Sequence, residues 1–307
     1  MIDRGMQNKA LFTGTPEKRL LITSPLPMLK PIKNRSFLFI LPALIVVGGS
    51  TIVPIVAIVN FSVQDVFYGN DFIWVGPKWF IQVLSSKEFY DTLLRTFAFS
   101  ATVMIIEVPL GILIALSLPR KGRLIPFYII AIAIPLMIPW VVVGLMWLLI
   151  IHPQWGSLGA LLSLIDLQID ANNMIVAWSI IVFVDVWHWT SLIILLCYSG
   201  LLAIPDMYYQ AAKIDGAKRW NLFRYVELPK IKRVLMIAIL LRFLDSFMVY
   251  AEPFILTRGG PGKSTVFLSQ SLMLTASKQF DLGHSAAVSL IYLSIIVLFS
   301  WILYKVM

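Results

Sequence analysis

Runs of about twenty apolar residues recur along the chain, and they limit what it can fold into more than any other feature. A helix of that length crosses a hydrocarbon core of about 30 Å. A spanning segment must also satisfy its own backbone N–H and C=O groups, which a helix does internally. Residues 37–61, 93–118, 125–151, 174–201, 234–255 and 284–306 meet the requirement. A membrane barrel would instead show short strands alternating apolar and polar residues, and that alternation is absent. A soluble chain would carry roughly 25% charged residues; this one has 13%, against 59% hydrophobic. The expected fold class is all-α, a polytopic integral membrane protein with about six transmembrane helices.

Lys and Arg are retained on the cytoplasmic side of a membrane and so report orientation. Seven precede the first span, namely Arg4, Lys9, Lys18, Arg19, Lys30, Lys33 and Arg35. The loop before the second span has Lys78 and Lys87, outnumbered by Asp65, Asp71, Glu88 and Asp91. The next loop is basic, with Arg120, Lys121 and Arg123, and the one before the fourth span has no Lys or Arg. Residues 202–233 carry seven again, and the last loop is intermediate. This alternation puts both termini and the 202–233 loop in the cytoplasm. Residues 1–36 read as a disordered cytoplasmic tail without a cleavable signal, and residues 37–307 as the transmembrane domain. The net charge of +9 is then a topology signal, not a mark of nucleic-acid binding. The single cysteine, Cys197, cannot form an intrachain disulfide and belongs to no metal-ligand cluster. In the first outer loop, Trp74 and Trp79 lie among Gly69, Gly76 and Pro77. They fit either an interfacial aromatic belt or a docking surface.

The 202–233 loop is the most informative segment. Pro205-Asp206 suits a helix start, and Gly216 can adopt the left-handed backbone that ends a helix. Asp215 could then cap a second helix from Ala217, with Pro229 stopping that helix before the fifth span. Ala211, Ala212, Gly216 and Ala217 leave one side of the turn bare, beside Tyr208, Tyr209, Trp220 and Phe223. Such a surface suits insertion into a groove on another protein. An amphipathic helix lying on lipid headgroups fits equally well.

Gln210-Ala211-Ala212, Asp215-Gly216-Ala217, Phe223 and Leu228-Pro229 resemble, at fixed spacing, the "EAA" loop of permease subunits of ATP-binding-cassette importers. Residues 135–156 resemble a third span of the carbohydrate-uptake branch, which includes the maltose and glycerol-phosphate systems. Leu256-Thr257-Arg258-Gly259-Gly260-Pro261 with Thr265 resembles that branch's "LTxGGP…T" stretch. The similarity extends over most of residues 37–305. Two departures stand out: Gln210 replaces the leading acid, and Thr190 stands where relatives often have Pro. The resemblance implies that Gln210, Ala211, Ala212, Asp215, Gly216 and Ala217 contact a cytoplasmic ATPase. It further implies two ATPase subunits that hold ATP and Mg, a second permease in a heterodimer, and an extracytoplasmic solute-binding protein. The chain would hold no cofactor or metal of its own and perform no covalent chemistry. Its place would be a bacterial inner membrane, and its solute a sugar, polyol or glycerol derivative.

Charges inside a span cost about 2.5–3.5 kcal/mol at the helix centre and call for a reason. Arg242 and Asp245 share a face of the fifth span and fit either a neutralised pair between helices or the solute path. Asp185 and His188 share a face of the fourth span, flanked by Trp187 and Trp189. Rings and carboxylates suit sugars, which present C–H faces and hydroxyls; a satisfied His–Asp pair between helices fits as well. The candidate path residues are Asp185, His188, Trp189, Asp245 and Tyr250, with Glu107, Ser246 and Glu252 weaker. Gly260-Pro261-Gly262-Lys263-Ser264-Thr265 ends like a phosphate-binding loop, but Thr257 occupies the position of its first Gly. A secondary carrier or channel is the alternative function; it would call for inverted repeats and broken helices, and the sequence displays neither. No nucleophile–base motif points to a hydrolase.

Overall fold

The computed structural model describes residues 36–66, 72–165 and 172–306. The tail expected at residues 1–36 lies outside them apart from Ser36, as do Gly69 and Asp71. The chain divides into two compact units, residues 1–53 and 54–307. Residues 36–53 of the first are helical throughout.

Helix α1 (Ser36–Phe61) is apolar along its length. Such a helix meets lipid or another subunit. A short hairpin follows, β1 (Gln64–Val66) antiparallel to β2 (Phe72–Trp74), with Asp65 opposite Ile73. Next come α2 (Lys78–Leu84) and α3 (Lys87–Ser117). The Ser86 hydroxyl accepts from Phe89 N–H at 3.4 Å, so α3 starts earlier than its apolar run. The two outer tryptophans part company. Trp74 is 71% exposed, whereas Trp79 is only 8% exposed. Trp79 Nε1 donates to the Gln64 carbonyl at 2.9 Å, and its ring meets His284 edge-on. Trp79 is therefore a packing brace, neither belt nor docking surface.

The third expected span is not one rod. Helices α4 (Ile125–Met137) and α5 (Trp140–Ile150) meet at 92°. Pro139 has no N–H to donate, and the residue before a proline is driven to extended backbone; Ile138 has φ −80° and ψ 128°. After α6 (Ser157–Ser163) comes α7 (Met174–Leu202), capped by Asn173, whose side chain accepts from Ile175 N–H at 2.9 Å. Helices α8 (Asp206–Ile214) and α9 (Arg219–Leu222) form the 202–233 loop. A π turn (Phe223–Glu227) joins α9 to α10 (Leu228–Phe247). Then come α11 (Ala251–Thr257), α12 (Leu268–Ser277) and α13 (Leu282–Val306).

Two expectations for the loop need correction. Asp215 is the C-cap of α8, not the cap of the next helix, which begins at Arg219 after Lys218. Pro229 does not stop a helix either, since residues Arg219–Phe247 form one helical rod. A proline ring clashes with the carbonyl four residues back and leaves it without a donor. The π turn just ahead of Pro229 widens the ladder there and absorbs the defect.

Four helices are individually long and apolar enough to cross a membrane, among the described residues. The bent pairs α4–α5 and α9–α10 with α11 raise the number to six if each is one span. Helix α7 is the central element, packed against α3, α4, α5, α10 and α11. Close approach to α3 depends on Gly111, where a Cβ would stand 2.6 Å from Ile193 Cγ2. With little hydrophobic drive between helices in lipid, small residues at contacts decide how tightly they pack. Gly111→Leu is expected to force α3 and α7 apart and to cost about 1–3 kcal/mol, read as a lowered melting temperature in detergent.

Candidate functional site

The interior of the bundle is organised around one guanidinium. Arg242 on α10 is fully buried, as are Glu107 on α3 and Asp185 on α7. Arg242 Nε donates to Glu107 Oε2 at 2.6 Å, and Nη2 to Glu107 Oε1 at 3.2 Å. Nη2 also donates to Asp185 Oδ2, and Nη1 to Asp245 Oδ2 at 3.1 Å. The expected Arg242–Asp245 pair is thus one edge of a four-membered cluster. The expected Asp185–His188 pair does not form, because Asp185 turns to Arg242. His188 Nδ1 instead lies 3.4 Å from Glu252 Oε1 on α11, and neither ring nitrogen has a hydrogen-bond partner. Ser246, one residue beyond Asp245, meets Ser100 on α3 at 2.5 Å.

A small crevice of about 10 Å³ adjoins this cluster, lined by Trp140, Asp185, Trp189, Asp245, Met248, Val249, Tyr250 and Glu252. Four of the five path residues expected from the sequence share it; the fifth, His188, is buried behind. Trp140, Met248 and Val249 were not foreseen, and all three belong to helix breaks. Trp140 is the first residue after the 92° bend, and residues 248–250 form the 47° joint between α10 and α11. Non-helical backbone at membrane depth is tolerated where it lines a cavity or finds other partners. The released carbonyls do find partners: the Tyr292 hydroxyl donates to Phe247 O and the Ser269 hydroxyl to Val249 O. Gly144 lets α5 approach α11, where a Cβ would sit 3.0 Å from Ile255 Cδ1.

The second site is the 202–233 loop. Helix α8 ends in a Schellman turn, in which Gly216 N–H donates to Lys213 O at 3.2 Å and Ala217 N–H to Ala212 O at 2.9 Å. Gly216 has φ +64° with nothing of its own chain near its Cβ position. Gln210, Ala211, Asp215, Gly216 and Ala217 are exposed, and Ala212 is half-buried. The loop is braced from beneath, in part by Glu227 and Arg219, to which the sequence reading gave no such role. Buried Glu227 accepts from Arg219 Nη1 at 2.5 Å and from the Tyr209 hydroxyl at 3.3 Å. Arg120 lies over the Tyr209 ring at 3.7 Å and donates to Leu201 O and Ile204 O at the end of α7. Lys121 donates to Asp206 Oδ2 at 2.5 Å. The hydrogen bond and charge of Lys121, then the charge of Arg120, hold the Asp206 carboxyl below its ordinary range. That tie therefore persists through neutral pH and is lost only as pH falls through the lowered value. Burial, then the Glu227 carboxylate, pushes the Tyr209 phenol up, so it stays a donor.

Residues 107–306, about two thirds of the chain, match the family of binding-protein-dependent transport system inner membrane components. The chain belongs to that family. The trehalose/maltose transport system permease protein MalF of Thermococcus litoralis is 33% identical over 279 residues, spanning 88% of this chain and 92% of its own. The solved structure of a bacterial ABC transporter involved in the import of the acidic polysaccharide alginate shares the fold, with a TM-score of 0.75. It is 18% identical and covers 90% of this chain and 96% of that one. A second, of a bacterial alginate ABC transporter in complex with alginate pentasaccharide-bound periplasmic protein, has a TM-score of 0.73 at 18% identity, covering 90% and 95%. The permease is thus a membrane-embedded transport subunit of an ATP-binding-cassette importer, not an enzyme. Its broken helices do not make it a secondary carrier; they border the crevice.

The phosphate-loop-like stretch has a structural explanation in this permease. Thr257 and Thr265 hydroxyls meet at 2.7 Å, and Thr265 donates to Gly260 O at 2.9 Å, closing the loop on itself. Trp178 Nε1 and Arg95 fasten it to α7 and α3 through Ser264 O and Lys263 O. Among the described residues, no group of three His, Cys, Asp or Glu is placed to hold a metal. A wider cavity of about 470 Å³ lies between α2, α3, α12 and α13, bordered by Glu88, Lys263, Asp281 and His284. It contains none of the expected path residues.

Two mutations separate the roles of these clusters. Arg242→Met leaves buried carboxylates without a counter-ion and is expected to destabilise the permease by about 3–5 kcal/mol, seen as early thermal aggregation in detergent. Glu227→Ala removes the brace beneath α8 while the spans stay intact. It is expected to cost roughly 1 kcal/mol locally, leaving the melting temperature nearly unchanged but lowering uptake per ATP hydrolysed.

Proposed function

We propose that the permease forms half of the path by which a sugar, polyol or glycerol derivative crosses a bacterial inner membrane, with ATP hydrolysed elsewhere. The observation that carries this reading is the α8–α9 turn. Its tip is bare, exposed and stiffened by a Schellman turn, and its base is tied to α7, α10 and the 119–124 turn. A rigid knob of small residues suits a groove on another protein. Lipid headgroups would instead favour a continuous apolar face. The knob, residues 210–217, would dock on a cytoplasmic ATPase that holds ATP and Mg, with two such subunits serving two permeases. Both termini would then lie in the cytoplasm, as the Lys and Arg alternation indicates.

A second permease would complete the cavity and cover apolar faces such as that of α1. The periplasmic protein named in the alginate transporter structure supports a solute-binding protein on the outer side. The trehalose/maltose name of the Thermococcus relative, together with Trp140, Trp189 and Tyr250 around carboxylates in the crevice, supports a hydroxyl-rich solute. Rings cover C–H faces and carboxylates accept from hydroxyls. Asp185, Trp189, Asp245 and Tyr250 would contact it, and His188 would act from behind, through Glu252.

The test is to purify the tagged permease in mild detergent and identify its companions. An ATPase and a second permease should co-purify, and Ala212→Trp or Gly216→Pro should lose the ATPase while the second permease is retained. A permease isolated alone that accumulates solute in ATP-free vesicles would overturn the reading.

A further inference from the structure

We infer that the crevice is a charge filter, admitting neutral or cationic solutes and rejecting anionic ones such as phosphate esters and uronates, with Asp245 as a specificity-determining residue. The inference rests on the reading that solute passes through this crevice, and it narrows the solute class further.

The argument starts from the charges around the crevice. Glu107, Asp185, Asp245 and Glu252 bring four carboxylates together with one guanidinium, Arg242, and one imidazole, His188. Every nitrogen of Arg242 already donates to a carboxylate. Arg242 is fully buried and does not line the crevice. With four of its five N–H groups taken and the side chain away from the crevice lining, Arg242 offers an entering phosphate or carboxylate no accessible donor.

What faces the crevice is acceptor-rich. Asp185, itself 1% exposed, borders it, and its Oδ1 is buried without a hydrogen-bond partner. A buried carboxylate oxygen in that state calls for a donor, which a hydroxyl or an ammonium supplies and an anion does not. Asp245 is a quarter exposed and binds Arg242 through Oδ2. Clefts with low-dielectric walls focus the field of such charges and change the local concentration of a charged solute about tenfold or more. The rings of Trp140, Trp189 and Tyr250 add C–H contact without offsetting the charge. The alginate transporter, described as importing an acidic polysaccharide, has the same fold. Discrimination by charge is thus a property of the crevice side chains and not of the fold.

The filter can be tested without knowing the solute. Met248 lines the crevice and is exposed, so Met248→Cys in a Cys197→Ala background places one thiol there. The intact importer, with its partners, is treated with cationic, neutral and anionic methanethiosulfonates of matched size, and each rate is normalised to that of a small free thiol. The cationic reagent is expected to outpace the anionic one by about tenfold. The ratio should fall several-fold on Asp245→Asn, and also at high salt, where charges are screened. A normalised ratio near one, or one favouring the anion, overturns the filter. A large ratio that neither Asp245→Asn nor salt moves overturns the role of Asp245; the salt series serves alone if that variant does not assemble. Uptake tests the underlying reading separately. A fully labelled importer that still transports at its original rate shows that solute passes elsewhere, whatever the reagent ratio.

Discussion

Everything in the permease interior is arranged around a positive charge that has nowhere to be hydrated. Arg242 is tolerable in the membrane because α3 and α7 each deliver a carboxylate to it and α10 delivers a third. A buried ion pair is weak evidence of added stability but strong evidence of specified geometry, since removing one partner strands the other. The cluster therefore fixes which faces of three helices meet. The apolar contacts alone, with Leu, Ile and Val on most sides of each helix, would allow several rotations. Gly111 against Ile193 and the Ser100–Ser246 pair complete that registration above and below.

The same cluster decides where the fold can afford broken helices. The joints at 138–139 and 248–250 fall around the crevice beside it, and free carbonyls at the second, of Phe247 and Val249, are met by hydroxyls of α13 and α12. A broken backbone facing lipid would have no such partners. The crevice thus exists because the interior is polar enough to accept irregular backbone, and it presents rings and carboxylates because those joints turn them inward.

How much of this was legible follows from what each signal depends on. The spans were, because length and hydropathy are local properties. That Asp185, Trp189, Asp245 and Tyr250 would stand out together was, because an intramembrane charge beside rings is visible in a single helix; the structure gathers the four around one crevice. The breaks were not: Pro42 and Pro54 lie within α1 and Pro109 within α3 without breaking them, so Pro139 carried no distinguishing mark. Nor was the pairing of Arg242 with Glu107, which are 135 residues apart, or the exchange of His188 for Arg242 as the partner of Asp185. Glu227 escaped notice because its brace works across a π turn that Pro229 alone did not announce. The turn that ends α8 was legible, since Gly216 needs a left-handed backbone and sits where an α-helix ends.

The rod from Arg219 to Phe247 has mechanical consequences. It runs from the α8–α9 turn to the crevice with only a π turn along it, and Arg242 pins it to two neighbouring helices near its far end. At 1.5 Å per residue, about 35 Å of rod lies on the loop side of that pin and about 8 Å on the crevice side. A rod so held is a lever with unequal arms, near four to one. A displacement of several ångströms applied at the turn reaches the crevice as a much smaller one delivered with proportionally greater force. Small, forceful movements are what a tightly packed interior can use, since shifts of an ångström are enough to open or shut a crevice lined by tryptophan rings.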